Sequence, residues 1–256
     1  MNSSYELPSL MMKRLGLFLI IPVLLFTASG CATTGRRAFL DGTPIALVSV
    51  ASNGSINWKG EGTLKPNRAG KGIRRALRAD ELWVVASKTD DIMDEIEEII
   101  WGILQESPQG FSQLIPLVPK ETVINSRSYK EARINSGQHK KNMVTPAGYR
   151  LIDYNDKNFN AAFAEETGVE KTLYLTLNLY KDMIGGVGKS GNYKVRAGLT
   201  AMFRDSQGKR LFEKNYEGVS TARGKVTAGS YSQDEMFDLV RSALIEVTYR
   251  FMDDLF

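Results

Sequence analysis

The sequence predicts an α+β fold, a single domain in which amphipathic helices pack on a mainly antiparallel sheet. A continuous apolar run at 45–50, IALVSV, is typical of a strand buried on both faces. Apolar and polar residues alternate with period two at 173–180 and 195–203, which predicts two strands with one buried face each. Apolar residues recur at helical spacing at 90–105 and 236–251, which predicts two amphipathic helices.

The helix predicted at 90–105 has an acidic side and an apolar side. Its acids crowd the first turns, where they favour the helix dipole, and we expect them to form one solvated face without a converging acid–base pair. We expect the apolar side to pack on the sheet. The alternative is contact with lipid, although helices that lie on membranes usually carry Lys and Arg. The acids are Asp91, Asp94, Glu95, Glu97 and Glu98, and the apolar face is formed by Ile92, Ile96, Ile99, Ile100 and Ile103.

In the second half of the chain, residue types typical of helix ends, turns and helix starts separate the predicted elements. A short helix at 159–167 ends at Gly168, a residue type favoured just after a helix. A turn at 205–208 leads into a third strand at 211–219. Ser232-Gln-Asp-Glu235 has the pattern of a capping box and opens the last helix. The predicted buried stripe of that helix comprises Met236, Val240, Ala243, Leu244, Val247 and Phe251.

The stretch Gly188-Lys189-Ser190 raises the possibility of a phosphate-binding loop. Such a loop needs G-x-x-x-x-G-K-[ST] between a strand and a helix, so that backbone N–H groups surround the phosphate. Met183 stands where the first glycine is required, and the residues that follow alternate as a strand. We therefore interpret 184–192 as a glycine-rich connection between two antiparallel strands and expect no nucleotide.

The amino terminus is typical of a secretory signal peptide. Lys13 and Arg14 precede an uncharged apolar run at 15–26, and small residues follow. The run is too short for a transmembrane helix, which needs about 20 apolar residues. The sequence thus predicts a signal peptide, a short lipidated tether and a single α+β domain, at residues 1–30, 31–43 and 44–256.

The tetrapeptide Ala28-Ser29-Gly30-Cys31 resembles the lipobox of bacterial lipoproteins, with Ala28 where Leu is commonest. The resemblance implies that the Cys31 thiol carries covalent lipid and becomes the mature amino terminus. The alternative is an ordinary signal peptide with a chance cysteine. Cys31 is the only cysteine, and a single unpaired thiol is unusual in an exported protein, whereas lipidation accounts for it. By analogy with enteric lipoproteins, Ala32 in place of Asp implies an outer-membrane destination.

Residues that carry catalysis or hold metals are sparse in this chain. His139 is the only histidine, and together with one cysteine it does not make a typical zinc site. A Ser-His-Asp triad would depend on His139, and no G-x-S-x-G motif is present. We expect a non-enzymatic protein with no metal, no cofactor apart from the covalent lipid, and no nucleic-acid partner; an exported hydrolase is the least favoured alternative.

A glycine-rich basic stretch covers 54–79 and holds a single acid, Glu61. It has three interpretations. It is a solvated loop, it contacts anionic lipid headgroups at about 1 kcal/mol per cation, or it contacts an anionic cell-wall polymer or a protein partner. Its cations are Lys59, Lys65, Arg68, Lys71, Arg74, Arg75 and Arg78.

The order of elements resembles a class of periplasm-facing outer-membrane lipoproteins that includes the curli-secretion lipoprotein and the activators of penicillin-binding proteins. A lipobox and tether lead to a buried strand, and later a hairpin with a D-x-x-G turn at 203–212 leads to a final helix. The basic insertion and the stretch 114–153 depart from that layout. The resemblance implies an accessory or scaffold protein, anchored by lipid at the periplasmic face of the outer membrane, that binds an envelope protein or polymer; no catalytic residue is carried over.

A second resemblance, to spirochaete outer-membrane lipoproteins that press amphipathic helices into the inner leaflet, implies an alternative. The chain would then bind or perturb the membrane itself, through the basic stretch 54–79 and the helix at 90–105. The two functions differ in what the basic stretch and the apolar helix face contact. In the first, the helix face packs on the sheet and a contact of the basic stretch is with protein or polymer. In the second, both contact lipid.

Overall fold

A computed structural model describes residues 40–59, 87–106, 115–137, 141–187, 190–227 and 230–256. The strands are β1 (Ile45–Asn53), β2 (Ser55–Trp58), β3 (Ser87–Lys88), β4 (Met143–Val144), β5 (Lys171–Val187), β6 (Ser190–Asp205), β7 (Arg210–Val219) and β8 (Gly224–Val226). The helices are α1 (Met93–Gln105), α2 (Lys120–Asn125), α3 (Arg127–Glu131), α4 (Lys157–Thr167) and α5 (Gln233–Leu255). From Gly42 to Phe256 they form one compact α+β domain, which confirms the predicted fold class.

The apolar run at 45–50 forms the first strand of the sheet, β1, and is completely buried. On one side β1 pairs with β5 in parallel. On the other side it pairs with β4, and the backbone of Ile45 exchanges hydrogen bonds of 2.9 Å with Pro116 and Val118. The prediction of a central buried strand is therefore confirmed.

The sheet is mixed but mostly antiparallel. Strands β5 and β6 form a long hairpin, and β7 and β8 pair with β6. The exceptions to the antiparallel pattern are β1 and β2, which both run parallel to β5. Asn53 joins these segments, because its side chain donates to the Leu179 carbonyl at 2.8 Å and accepts from the Leu179 N–H at 2.6 Å.

The glycine-rich connection is the end of the β5–β6 hairpin, as predicted, and is not a strand-to-helix loop. Gly186 pairs with Gly191 across the two strands. Gly186 has φ of +154°, and a Cβ there would lie 2.3 Å from the Ser190 carbonyl oxygen. The sequence pattern therefore reflects a close approach of two backbones at this point.

Helix α5 lies across β6 and β7, and all six residues of its predicted stripe are buried. Its first turn is capped by Ser232, whose Oγ accepts a hydrogen bond from the Glu235 N–H at 3.3 Å. Gly218 of β7 lies directly under the helix, since a Cβ there would be 2.4 Å from the Ala243 carbonyl oxygen. The helix and the sheet are thus in backbone contact at this position.

Helix α1 follows a 3-10 turn at Asp90–Ile92 and packs against α5. Of its apolar face, Ile92, Ile96, Ile100 and Ile103 are buried and Ile99 is half-buried. This is the arrangement expected if the face packs within the protein. Contact of the same face with lipid would require the helix to leave α5. Among the described residues, no helix combines the length and the apolar character needed to cross a bilayer.

Candidate functional site

A groove of about 540 Å³ runs along the polar side of α1. Its second wall is the segment that passes beside β1 and enters α2, together with the turn at Ala147. Because α1 presents one side at helical spacing, side chains three, four and seven residues apart line the same groove. The lining residues are Asp94, Glu97, Glu98, Trp101, Gln105, Leu117, Pro119, Lys120, Glu121 and Ala147.

Two sets of contacts hold the walls of the groove together. The segment before α2 is fixed to β1 by two backbone hydrogen bonds, because the Ile45 N–H donates to the Pro116 carbonyl and the Val118 N–H donates to the Ile45 carbonyl. The turn at Ala147 is fixed to α1, because the Ala147 N–H donates to Asp94 Oδ1 at 2.8 Å. The groove is therefore built by three chain segments that are far apart in sequence.

Three of the lining residues, Glu97, Trp101 and Lys120, belong to a connected polar cluster with Tyr149. Lys120 Nζ donates to Glu97 Oε2 at 2.6 Å and lies 4.9 Å from the centre of the Tyr149 ring. The Tyr149 hydroxyl in turn accepts a hydrogen bond of 3.2 Å from Trp101 Nε1. Burial raises the pKa of Tyr149 well above its ordinary value of 10.0. The hydroxyl therefore stays protonated, and the cluster holds Trp101 in a fixed orientation.

The expectation of one solvated acidic face is wrong for two of the five acids. Glu97 is only 7% exposed and is paired with Lys120. Glu95 is half-buried and paired with Arg241 of α5. Helical periodicity placed both acids opposite the isoleucines, but it carried no information about the segments that cover them. These two carboxylates are each bound by a different cation.

The electrostatics of the groove are dominated by its acids. Asp94, Glu98 and Glu121 are exposed along it. Among the described lining residues the one cation is Lys120, which is engaged by Glu97. These carboxylates are spread out rather than clustered: among the described residues no group of three acidic, histidine or cysteine side chains is placed to hold a metal. The arrangement suits several separate positive charges better than one ion.

A second concavity, of about 410 Å³, lies between β2 and β5 and includes Lys59. Lys59 is the one described member of the predicted basic set. Its Nζ is 3.9 Å from Asp182 Oδ2 and 5.6 Å from the centre of the Tyr180 ring. The predicted lipidation site, Cys31, lies outside the described residues, as does His139, for which no site was predicted. The same holds for the other predicted basic residues, Lys65, Arg68, Lys71, Arg74, Arg75 and Arg78.

Sequence analysis missed the groove residues Trp101, Leu117 and Lys120, because no local motif marks them. It also missed Lys181, which is 1% exposed and donates to the Tyr231 hydroxyl at 2.7 Å. Its Nζ lies 4.4 Å from the centre of the Tyr231 ring. A signal for Lys181 was available, because it continues the alternation of the buried leucines on β5. A position of that parity faces the interior.

Comparisons with known proteins do not assign the groove to a family. No known family model matches the chain, and no curated protein matches it. The fold and the groove therefore define only a general class, an α+β domain with an acidic groove along one helix. Any more particular assignment depends on the residues themselves.

Proposed function

We propose that this chain is a non-enzymatic, lipid-anchored accessory protein of the bacterial envelope, and that it binds a protein partner at the periplasmic face of the outer membrane. The observation that supports the binding role is the groove beside α1, where Trp101 is half-buried among exposed carboxylates. Half-exposed aromatic residues beside polar rims are characteristic of binding surfaces. The support for the anchor is Cys31, placed directly after an apolar run and small residues.

The anchor is tested by metabolic labelling with a palmitate analogue in cells that express the full chain. The wild type is expected to incorporate the label and to fractionate with the outer membrane. The variant Cys31→Ala is expected to lose both. Label retained at wild-type level in Cys31→Ala would refute lipidation at this residue.

The binding role is tested by site-specific photo-crosslinking in the same cells. A crosslinking residue at position 121, on the groove, is compared with one at position 170, where Glu170 is exposed and does not belong to the described residues that line the groove. We expect a discrete crosslinked protein from position 121 and none from position 170. Equal crosslinking at both positions would contradict a specific role for the groove.

The alternative function, membrane binding by the folded protein, has a separate test. The full chain with Cys31→Ala is mixed with neutral and with anionic vesicles and floated on a density gradient. Flotation that requires anionic lipid would favour contact between the basic stretch and headgroups. The buried isoleucines of α1 argue against an additional apolar contribution from that helix.

A further inference from the structure

We infer that the groove between α1 and residues 117–121 binds an extended protein segment that carries Lys or Arg side chains together with an apolar residue. The inference deepens the proposed binding function by giving the chemistry of the partner. It follows from the charge, the apolar floor and the length of the groove, which are independent observations.

The charge of the groove selects a cationic occupant. The side chains of Asp94, Glu98 and Glu121 are exposed in the groove, where a ligand would contact them. Lys120, the one cation among the described lining residues, does not repel a cationic ligand strongly, because its Nζ is bound to Glu97 and lies over the Tyr149 ring. Anionic headgroups and anionic cell-wall polymers would be repelled here, whereas basic side chains are attracted.

The apolar side chains that line the groove favour a ligand that also carries an apolar residue. Trp101 and Leu117 are half-buried and Pro119 is exposed, so apolar surface is left for a ligand to cover. Trp101 is also held by its hydrogen bond to Tyr149. A rigid aromatic side chain loses little conformational entropy on binding, and tryptophan is over-represented among residues that dominate binding energy. A purely charged ligand would leave this surface uncovered.

The length of the groove indicates a peptide rather than a small cation. Its lining side chains run from Asp94 to Gln105 along α1, a distance of about 16 Å at 1.5 Å per residue. An extended chain of about five residues covers that distance. The carboxylates are distributed along it and do not converge on one point within the described residues. Lysines at alternate positions of an extended segment would match this spacing.

The probe for this inference is a labelled hexapeptide in which Lys and Leu alternate. It is titrated against the full chain held in neutral-lipid nanodiscs, with empty nanodiscs as the blank. Two further hexapeptides, Lys-Ser and Glu-Leu, remove the apolar residue or reverse the charge. We expect the Lys-Leu peptide to bind about tenfold more tightly than Lys-Ser, and the Glu-Leu peptide not to bind.

The matched variants reverse two charges each. Glu98→Lys with Glu121→Lys changes the groove, and Glu165→Lys with Glu170→Lys changes two exposed acids elsewhere. We expect the first pair to weaken binding of the Lys-Leu peptide about tenfold and the second pair to leave it unchanged. Leu117→Ser is expected to reduce the advantage of Lys-Leu over Lys-Ser. Thermal unfolding confirms that each variant is folded.

Three outcomes would overturn the inference. They are equal binding of the Lys-Leu and Lys-Ser peptides, no effect of the groove variant relative to its control, and no binding of any peptide above the blank. None of them bears on lipidation, because the label on Cys31 is measured separately. Failure of the inference is therefore distinguishable from failure of the proposed envelope function.

Discussion

Arg241 on α5 forms an ion pair with Glu95 on α1 through two hydrogen bonds, across a separation of 146 residues. Its Nη2 donates to Oε2 at 2.9 Å, and its Nε donates to Oε1. The pair fixes the helix that carries the groove to the helix that covers the sheet. The hydrogen bonds from Arg241 lower the pKa of Glu95 below its ordinary value of 4.5.

The first prediction concerns the pH dependence of this pair. A carboxylate with a lowered folded-state pKa contributes stability that is complete above its unfolded pKa and is lost as the pH falls through the folded value. Both side chains are more than a third exposed, so the contribution is about 0.2–1 kcal/mol. Urea unfolding should show Glu95→Gln to be less stable than the wild type at pH 7, and the difference should be smaller at pH 3.

The control for this prediction is Glu98→Gln. Glu98 is an exposed acid on the same helix, and no ion pair is formed by it among the described residues. Its replacement should leave the free energy of unfolding nearly unchanged at both pH values. A difference at pH 3 as large as the one at pH 7 would show that the effect is not electrostatic.

The second prediction concerns the contact between β7 and α5. In Gly218→Ala the new Cβ would lie 2.4 Å from the Ala243 carbonyl oxygen and 2.6 Å from the Val247 nitrogen. Backbone atoms cannot rotate away as a side chain can, so the helix must shift from the sheet. We expect a loss of about 1–3 kcal/mol in the free energy of unfolding, as is usual for overpacked sites.

Gly102→Ala is the matched control for that substitution. Gly102 lies within α1, and a Cβ there would meet nothing within 4 Å. Alanine is the better helix former, so this variant should gain about 0.5–1 kcal/mol. Chemical denaturation of both variants would decide the matter, and equal stabilities would refute the assigned close contact at Gly218.

The third prediction concerns Asn53, the residue at which pairing to β5 passes from β1 to β2. Its side-chain amide donates to the Leu179 carbonyl and accepts from the Leu179 N–H, as the backbone of a paired strand would. In Asn53→Leu both Leu179 groups would be left unsatisfied at a half-buried position, which costs about 1–3 kcal/mol. Asn178→Leu, at an exposed position of β5, serves as the control and should change stability by about 0.5 kcal/mol or less. Similar losses in the two variants would contradict the bridging role.

Much of the fold could be predicted because it is encoded locally. The alternation on β5 and β6, the capping residue Ser232 and the buried stripe of α5 all depend on residues close together in sequence, and the structure contains each of them. The burial of IALVSV followed in the same way from its composition. Local patterns thus predicted the long elements and the faces they bury, but not the short strands β2, β3, β4 and β8 or the short helices α2 and α3.

Long-range relationships could not be predicted in this way. The parallel pairing of β1 with β5 depends on how distant strands associate, and neither strand carries a signal for the direction of its neighbour. The groove could not be predicted from local sequence patterns for the same reason. Glu97 lies on the polar side of an amphipathic helix, and only the arrival of Lys120 from another segment explains its burial. A site formed by three separate segments leaves no contiguous motif.

The fourth prediction concerns a buried hydrogen-bond cluster between α4 and β5. Asn160 is 1% exposed, and its Oδ1 accepts from the Thr172 hydroxyl at 2.7 Å and from the Tyr174 hydroxyl at 3.3 Å. Asn160→Leu would leave two buried hydroxyl groups without this acceptor. Each such group costs about 1–3 kcal/mol, so we expect the variant to lose about 2–4 kcal/mol in denaturant unfolding.

A double variant separates the lost hydrogen bonds from a change in packing. Tyr174→Phe removes one of the stranded hydroxyl groups, so Asn160→Leu combined with Tyr174→Phe should be more stable than Asn160→Leu alone. Asn158→Leu, on the exposed side of the same helix, should change the free energy of unfolding by about 0.5 kcal/mol or less. If the double variant lost the sum of the two single losses, the two residues would be energetically independent. The hydrogen bond from Tyr174 to Asn160 would then contribute nothing to holding α4 on β5.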